Sequence, residues 1–449
     1  MLAETADATR ESTRGEARPR PGVIVAFSGA SAMSLVLAVD DEPLVIGRAG
    51  HAGTLLPDDR LSRNHCSIAA SAAGWIVRDL GSRNGTFVDG EEVRGEITAP
   101  SPRVIRAADT IMVPCADVST FLPTTAEDGV VVGWRMRDAL SAIDRAAAAS
   151  ETLLLSGESG TGKELAARRY HQRGPNAGGP FVAVNCATIP QGLAERLLFG
   201  AKKGAYSGAT ADVIGHLRAA DGGVLFLDEG GELDLQVQAK LLRVIETREV
   251  VALGATQGTQ LAVRVCVATH VQLRRAVAEG RFRADLYHRI APPEVILPAL
   301  RDRLDEMAQH IVAEIAAVAP GLAPQARLVE ACMLRPWPGN VRELRRQMRD
   351  AAGRALAEHG DRVRLEHLAP SAGQPLGPLG PPSSRPVGPA QGVRPYVRHA
   401  QELTREAVER ALTESDGNVS RAARSLGLQR TQLYREIARH SLDRSGKRR

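Results

Sequence analysis

The sequence lacks every feature that would place it in a membrane or in an oxidising compartment. No stretch approaches the ~18 uninterrupted apolar residues that a membrane helix requires, so no spanning segment is expected. The opening MLAETADATRESTRGEARPR has no apolar signal core and mixes both charge signs. That composition suits a disordered arm over residues 1–21 and a cytoplasmic protein. The five cysteines, Cys66, Cys115, Cys186, Cys266 and Cys332, form no CxxC pair, and their odd number excludes a complete disulfide framework. Reduced, mostly buried thiols are expected instead. No internal repeat is found.

What is present is a long soluble-type chain: 449 residues, 43% hydrophobic and 24% charged, too long for one core and suited to about three domains. Its net charge of +5 is uneven, with nine Lys and Arg against two Asp and Glu from Val419 onward. A basic end fits double-stranded DNA. Two linkers are legible. One, SAGQPLGPLGPPSSRPVGPAQGVRPYVR, carries seven prolines and five glycines in 28 positions and forms an extended tether. A weaker boundary falls at PTTAEDG, Pro123 to Gly129. Before it, SLVLAV, PLVIG, CSIAA, GWIVRDL and GTFVDG read as the short strands of a β-sandwich. Between the linkers, TLLLSG, FVAVNC, VLFLDE and VRVCVAT alternate with helical segments, the pattern of a parallel α/β sheet. A compact all-α segment follows the second linker.

The strand ETLLLS runs into GESGTGKE and then a helical LAARRYHQR, the context of a P-loop. Gly157, Glu158, Ser159, Gly160, Thr161, Gly162, Lys163 and Glu164 would surround the phosphates of ATP, with Lys163 reaching the β and γ groups. Glu164 stands where the general pattern has a Ser or Thr ligand for Mg2+. Further on, GGVLFLDE ends a buried strand with Asp228, a candidate Mg2+ ligand, and Glu229, which would orient the attacking water.

GESGTGKE with its terminal Glu resembles the AAA+ domain of sigma-54-dependent bacterial enhancer-binding activators, a likeness running from about Val130 to Leu368. The resemblance implies further roles. In FVAVNCATIP, Asn185 would contact Glu229. In VATH, Thr269 holds the sensor I position, with His270 where the family often has Asn. In GRFRADLYHRI, Arg283 and Arg289 would reach a neighbouring subunit's γ-phosphate, which makes the active form a ring, by analogy a hexamer. In WPGNVRELRR, Arg342 would face the nucleotide from a helical lid. GAYSGA resembles the family's GAFTGA loop, so Gly204, Ala205, Tyr206, Ser207, Gly208 and Ala209 would grip sigma-54 RNA polymerase. Around it, Lys202 and Lys203 replace a Glu–Lys pair, and Arg218 stands where Glu is common.

VIGRAGHAGTLLPDDRLSRNHCSI and WIVRDLGSRNGTFVDG carry GR, SxxH and NG at successive turns, and together resemble the forkhead-associated (FHA) domain, a phosphothreonine reader. Arg48, Ser62 and Arg63 would meet the phosphate, Asn84 would hold the peptide backbone, His65 would brace the loop, and Arg83 lies nearby. Thr5, Thr9 and Thr13 in the arm offer a ligand in cis.

LTREAVERALTESDGNVSRAARSLGLQRTQLYREIARHSL resembles a Fis-type helix-turn-helix, with Gln429, Arg430, Thr431, Gln432 and Arg435 as DNA contacts and Tyr434 in a core. The organisation expected is therefore an arm (1–21), an FHA sandwich (22–122), an α/β P-loop AAA+ core (130–300), its helical lid (301–368), a linker (369–398) and a helix-turn-helix (399–445). The resemblance implies an ATPase that remodels sigma-54 polymerase into an open complex under phosphothreonine control. The alternative is a DNA-binding regulator whose AAA+ domain only oligomerises.

Overall fold

A computed structural model describes residues 19–49, 56–127, 130–149, 152–190, 192–206 and 209–375, together with Leu412, Thr413, Ser415 and Ala422. Ten strands form the amino-terminal sandwich: β1 (Gly22–Ser28), β2 (Ser31–Ala38), β3 (Leu44–Ile46), β4 (Cys66–Ser71), β5 (Gly74–Asp79), β6 (Thr86–Val88), β7 (Glu91–Glu92), β8 (Glu96–Ala99), β9 (Ile105–Ala107) and β10 (Thr110–Cys115). One sheet has the order β2-β1-β10-β9-β6-β7, the other β3-β4-β5-β8, with antiparallel pairing. Inward residues such as Val23, Val25, Ile68, Val77 and Met112 fill the space between them.

β1 is buried along its whole length, which a sandwich with one wet face would not require. A bulge between Val25 and Phe27 explains part of this. The shifted register turns Phe27 away from the sandwich core and into a second one, with Ala26, Val104 and Ile111. That second core belongs to the lid.

A short hairpin, β11 (Thr125–Glu127) and β12 (Val130–Val132), leads to α1 (Trp134–Ala149), β13 (Thr152–Ser156), α2 (Lys163–Arg173), β14 (Phe181–Asn185), α3 (Ala194–Phe199), α4 (His216–Ala219), β15 (Val224–Asp228) and α5 (Leu235–Thr247). Then follow β16 (Glu249–Val250), β17 (Thr259–Gln260), β18 (Arg264–Thr269), α6 (Leu273–Ala278), α7 (Ala284–Ile290) and β19 (Glu294–Ile296). The parallel sheet has the order β14-β15-β18-β13-β19. Its strands are near-continuous apolar runs because helices cover both faces. Leu153 and Leu155 meet Ile143 of α1 and Tyr170 of α2 on one face; Leu154 and Leu227 share the other with Leu241 of α5 and Leu286 of α7.

The lid comprises α8 (Leu304–Val318), α9 (Ala326–Leu334) and α10 (Asn340–Ala357), with a two-strand bridge of β20 (Ala323–Pro324) and β21 (Arg362–Val363). Trp337 is fully buried in it, its Nε1 donating to the Cys332 carbonyl at 2.7 Å. Sandwich, sheet and lid form one compact unit, Met1–Leu379, and Gly380–Arg449 a second that lies almost wholly outside the described residues. The seam at Pro123–Gly129 is thus no free tether. The Thr124 N–H donates to Ser34 Oγ at 2.7 Å, and the buried Arg106 pairs with the buried Glu330 of α9 at 2.8 Å. All five cysteines are free, and four are buried.

Candidate nucleotide site and phosphate-reading loops

β13, β18 and β15 are neighbours, so their carboxyl ends bring three loops together. After β13 the chain turns through Gly160 at φ 78° and Gly162 at φ 107°, conformations open to glycine and costly elsewhere. A Cβ at Gly160 would also stand 2.2 Å from the Gly339 carbonyl oxygen. α2 starts at Lys163 with no side chain capping its first turn, which leaves its N–H groups able to cradle an anion. Lys163 is buried; its Nζ donates to the Gly157 carbonyl at 2.9 Å and stands 3.9 Å from Glu229 Oε1. Burial lowers its pKa, against the opposing pull of Glu229 and Asp228.

Asp228 ends β15, and Glu229 follows at φ 53°, a left-handed conformation that a side chain adopts only under constraint. Burial and the adjacent Glu229 charge push Asp228 above its ordinary value. Asp228 and Glu229 thus set two carboxylates side by side at the strand end, an all-oxygen donor set that suits a divalent cation such as Mg2+. Glu164 pairs with Arg168 at 2.8 Å. Thr269 is fully buried at the end of β18, its Oγ1 accepting from the Val271 N–H at 3.0 Å.

No hydrogen bond between Asn185 and Glu229 forms among the described residues. Asn185 Oδ1 instead accepts the Ala187 N–H at 3.0 Å, capping the single turn Cys186–Thr188. An Asn with extended backbone before a helical turn is a good cap. Glu229 turns to the β18 side, where His270 Nδ1 lies 2.5 Å from its Oε2.

The lid reaches the same loop. Arg301 grips Glu158 with both terminal nitrogens at 2.8 and 2.6 Å, and Asn340 Nδ2 donates to Glu158 Oε2 at 3.1 Å and to the Ser159 carbonyl at 3.0 Å. The Arg301 hydrogen bonds hold Glu158 below the usual carboxylate range. Arg342 Nη1 donates to Ser159 Oγ at 3.3 Å, and the buried Arg303 to the Thr161 carbonyl at 3.5 Å. Sequence reasoning chose Arg342 alone. Asn340 stood two places earlier in the same motif; Arg301 and Arg303 meet residues more than 140 positions away, for which no local pattern exists.

Arg283 precedes α7 and pairs with Asp285 at 2.6 Å, and Arg289 sits in the last turn of α7. Neither bonds to the P-loop of its own chain among the described residues. The GAYSGA loop closes on itself: the Gly204 N–H donates to the Ala209 carbonyl at 2.9 Å and the Ala209 N–H to the Tyr206 carbonyl at 3.0 Å. Ser207 and Gly208 lie outside the described residues. Arg196, unnoticed in the sequence, donates to the Tyr206 hydroxyl at 2.8 Å. Lys202 pairs with Asp212 at 2.7 Å, so the altered charge at the loop's neck has a local partner.

In the sandwich, the Arg48 N–H donates to the Ser62 carbonyl at 3.0 Å, and the Arg83 N–H to Ser62 Oγ at 3.1 Å. These bonds bring the three loops together. His65, fully buried, ties them: Nδ1 accepts the Ser62 N–H at 3.0 Å, and Nε2 meets the Gly85 carbonyl at 3.0 Å. Arg63 lies exposed beside them, and Gly47 lets the Arg63 backbone approach, since a Cβ there would stand 2.2 Å from its carbonyl oxygen. Asn84 Nδ2 donates to the Arg60 carbonyl at 2.6 Å. Burial tends to raise the Asp79 pKa, but hydrogen bonds from Ser82, Thr86 and Gly81 outweigh it and hold the carboxylate low. Arg60 was missed: its guanidinium links Asn84 at 3.3 Å to Asp109 at 3.2 Å.

Thr5, Thr9, Thr13, Gln429, Arg430, Thr431, Gln432, Tyr434 and Arg435 lie outside the described residues. No helix among the described residues is long and apolar enough to cross a membrane.

Comparison with known proteins follows the same three parts. Residues 132–295 match the sigma-54 interaction domain, 44–113 the FHA domain and 401–440 the Fis family of bacterial regulatory proteins. The chain is 40% identical over 309 residues to the anaerobic nitric oxide reductase transcription regulator NorR of Klebsiella pneumoniae, covering 67% of this chain and 59% of that protein. It is 35% identical over 331 residues to the transcriptional regulatory protein ZraR of Escherichia coli, covering 72% and 71%. The chain spans about six tenths of the length of the nitric oxide reductase regulators it matches, 59% and 57% in two cases. Among solved structures, NtrX from Brucella abortus in complex with ATP aligns at 28% identity over 70% of each chain, with a TM-score of 0.50.

Proposed function

Since this chain belongs to the sigma-54-dependent transcriptional activators, combining FHA, sigma-54 interaction and Fis-type parts, we propose that it hydrolyses ATP in a homo-oligomeric ring, by analogy a hexamer, to open sigma-54 promoters. Family members carry an AAA+ domain, and NtrX binds ATP. The observation that carries the reading is the Lys163–Glu229 approach of 3.9 Å at the carboxyl edge of the sheet, under a lid bonded to the P-loop.

In this reading the first-turn N–H groups of α2 and the Lys163 ammonium hold the phosphates, and Asp228 would hold Mg2+, which would supply charge to offset that of the phosphates. Glu229 orients the attacking water, with His270 fixing its carboxylate. Thr269 and Arg342 face the nucleotide, and Arg283 and Arg289 supply positive charge to the neighbouring subunit's site. Gly204–Ala209 contacts sigma-54, with the Arg196–Tyr206 bond bracing the loop. Residues 401–440 bind upstream double-stranded DNA, and Arg48, Ser62, Arg63, Arg83 and Asn84 read a phosphothreonine that governs the ring.

The test is open-complex formation on a sigma-54 promoter by the purified protein with ATP, sigma-54 polymerase and a phosphothreonine peptide. Strand opening that Lys163→Ala abolishes supports the reading. ATP hydrolysis without opening under every phosphorylation state overturns it.

A further inference from the structure

Sandwich and lid line a cavity of about 350 Å³, of whose lining residues only Asn84 has a role above. Arg60, Asn84, Arg106, Ala108 and Asp109 form its sandwich wall, and Gln325, Ala326, Arg327 and Arg362 its lid wall. Four arginines face a single carboxylate. That carboxylate, Asp109, is paired with Arg60 at 3.2 Å, and Arg106, 5% exposed, with Glu330 at 2.8 Å. Arg327 and Arg362 carry no ion pair among the described residues and are exposed. The lid wall therefore offers two guanidinium groups with unspent pairing capacity, and the sandwich wall offers the side-chain amide of Asn84.

Asn84 fixes what can enter. It stands next to the Ser62, Arg63 and Arg83 loops, and is held by Arg60, whose backbone leads through Leu61 into Ser62. Because Asn84 lines the cavity as well, a peptide anchored by its phosphate at those loops and held along its backbone by Asn84 would run on into it, where its side chains would meet Arg327 and Arg362. Guanidinium groups select carboxylates, and do so in bidentate fashion.

Building on the phosphothreonine reading above, we propose that this cleft is the second half of a composite site: the ligand is a phosphothreonine peptide with acidic residues beside the phosphothreonine, read jointly by the sandwich and by lid residues Arg327 and Arg362. The ligand is thus shared by two domains. Its acidic flank contacts the lid on β21 and the first turn of α9.

Three fluorescent peptides test this on the full-length protein by anisotropy: a phosphothreonine flanked on both sides by Glu-Glu, the same phosphopeptide flanked by Ala-Ala, and the unphosphorylated Glu-Glu peptide. The expected order is acidic phosphopeptide tightest, alanine phosphopeptide about tenfold weaker, and unphosphorylated peptide weakest. The double variant Arg327→Gln/Arg362→Gln removes the acidic preference and leaves the alanine phosphopeptide unchanged. Both positions are exposed, and an unaltered melting curve confirms that the variant is folded. Equal binding of the two phosphopeptides, or equal weakening of both by the variant, overturns the composite site while the phosphate reader stands. Binding of the unphosphorylated acidic peptide as tightly as its phosphorylated form also overturns it. If neither phosphopeptide binds, the reader assignment falls and this inference with it.

Discussion

Glu229 holds one carboxylate oxygen toward His270 and the other 3.9 Å from Lys163, and its backbone is locked in a left-handed turn. In the proposed mechanism a carboxylate so placed depends on its partners for direction. His270→Ala is expected to lower kcat for ATP hydrolysis by about tenfold with nucleotide affinity unchanged, and His270→Asn to keep most activity. Steady-state kinetics beside equilibrium binding of a nucleotide analogue separates these. A second carboxylate, Asp305, accepts the Trp134 N–H at 3.2 Å where the hairpin meets α8. Burial, then the neighbouring Glu306 charge, pushes its pKa from 3.8 up to about 6. Between those values Asp305 keeps a proton in the folded chain that it releases in the unfolded one, so its contribution to stability falls as pH rises from 3.8 to about 6 and stays low above. The ionised group costs about 3 kcal/mol at neutral pH. Asp305→Asn is expected to flatten this dependence, so that the variant gains on the natural protein at pH 8 and not at pH 4. Urea unfolding at the two pH values checks it.

The segment between β19 and α8 acts on several parts at once. Arg301 holds Glu158, Arg303 reaches the Thr161 carbonyl, and the Arg301 carbonyl accepts from Arg103 of the sandwich at 3.4 Å. Arg301→Ala is expected to weaken nucleotide binding about tenfold, because Glu158 loses its bidentate partner and the P-loop its preset shape. Melting should shift little, since Arg301 is partly exposed; calorimetric titration with an ATP analogue reads the effect. In the GAYSGA loop, Tyr206→Phe removes only the hydroxyl bond to Arg196. Open-complex formation is expected to stay within about threefold, since the bond is exposed to water and the Arg196 guanidinium keeps its place over the ring, 5.5 Å from the centroid, whereas Tyr206→Ala is expected to abolish it. These elements also show what could be read in advance. The P-loop, the Asp228–Glu229 strand end and the strand–helix alternation are local patterns and were legible. The Asn185 cap on the Ala187 N–H and the His270–Glu229 bond were not, because both depend on how the folded strand ends present their groups. Nor was the partner of Lys202, since Asp212 stands ten positions on and reaches it only in the folded loop.

Across the whole molecule, the least legible feature is the union of sandwich and lid. Composition marked a boundary at Pro123–Gly129, yet Arg106 and Glu330, 224 positions apart, pair in the buried seam, and a one-residue bulge in β1 sends Phe27 into the lid core. No period or motif announces such contacts. Glu330→Ala strands a buried guanidinium and is expected to destabilise the unit by about 3–5 kcal/mol. Arg106→Met/Glu330→Leu should recover most of that, and thermal unfolding of the three variants decides it. The seam also bears on how deletion experiments are read. Cutting away residues 1–123 would strip Phe27 and Ile111 from the core they share with the lid and uncover the α8 surface that packs on β1 and β2. Such a shortened chain would be sticky before it was deregulated. Lost transcription in it would report aggregation, and gained transcription could be credited to release from a signal only where gel filtration shows an unclumped product.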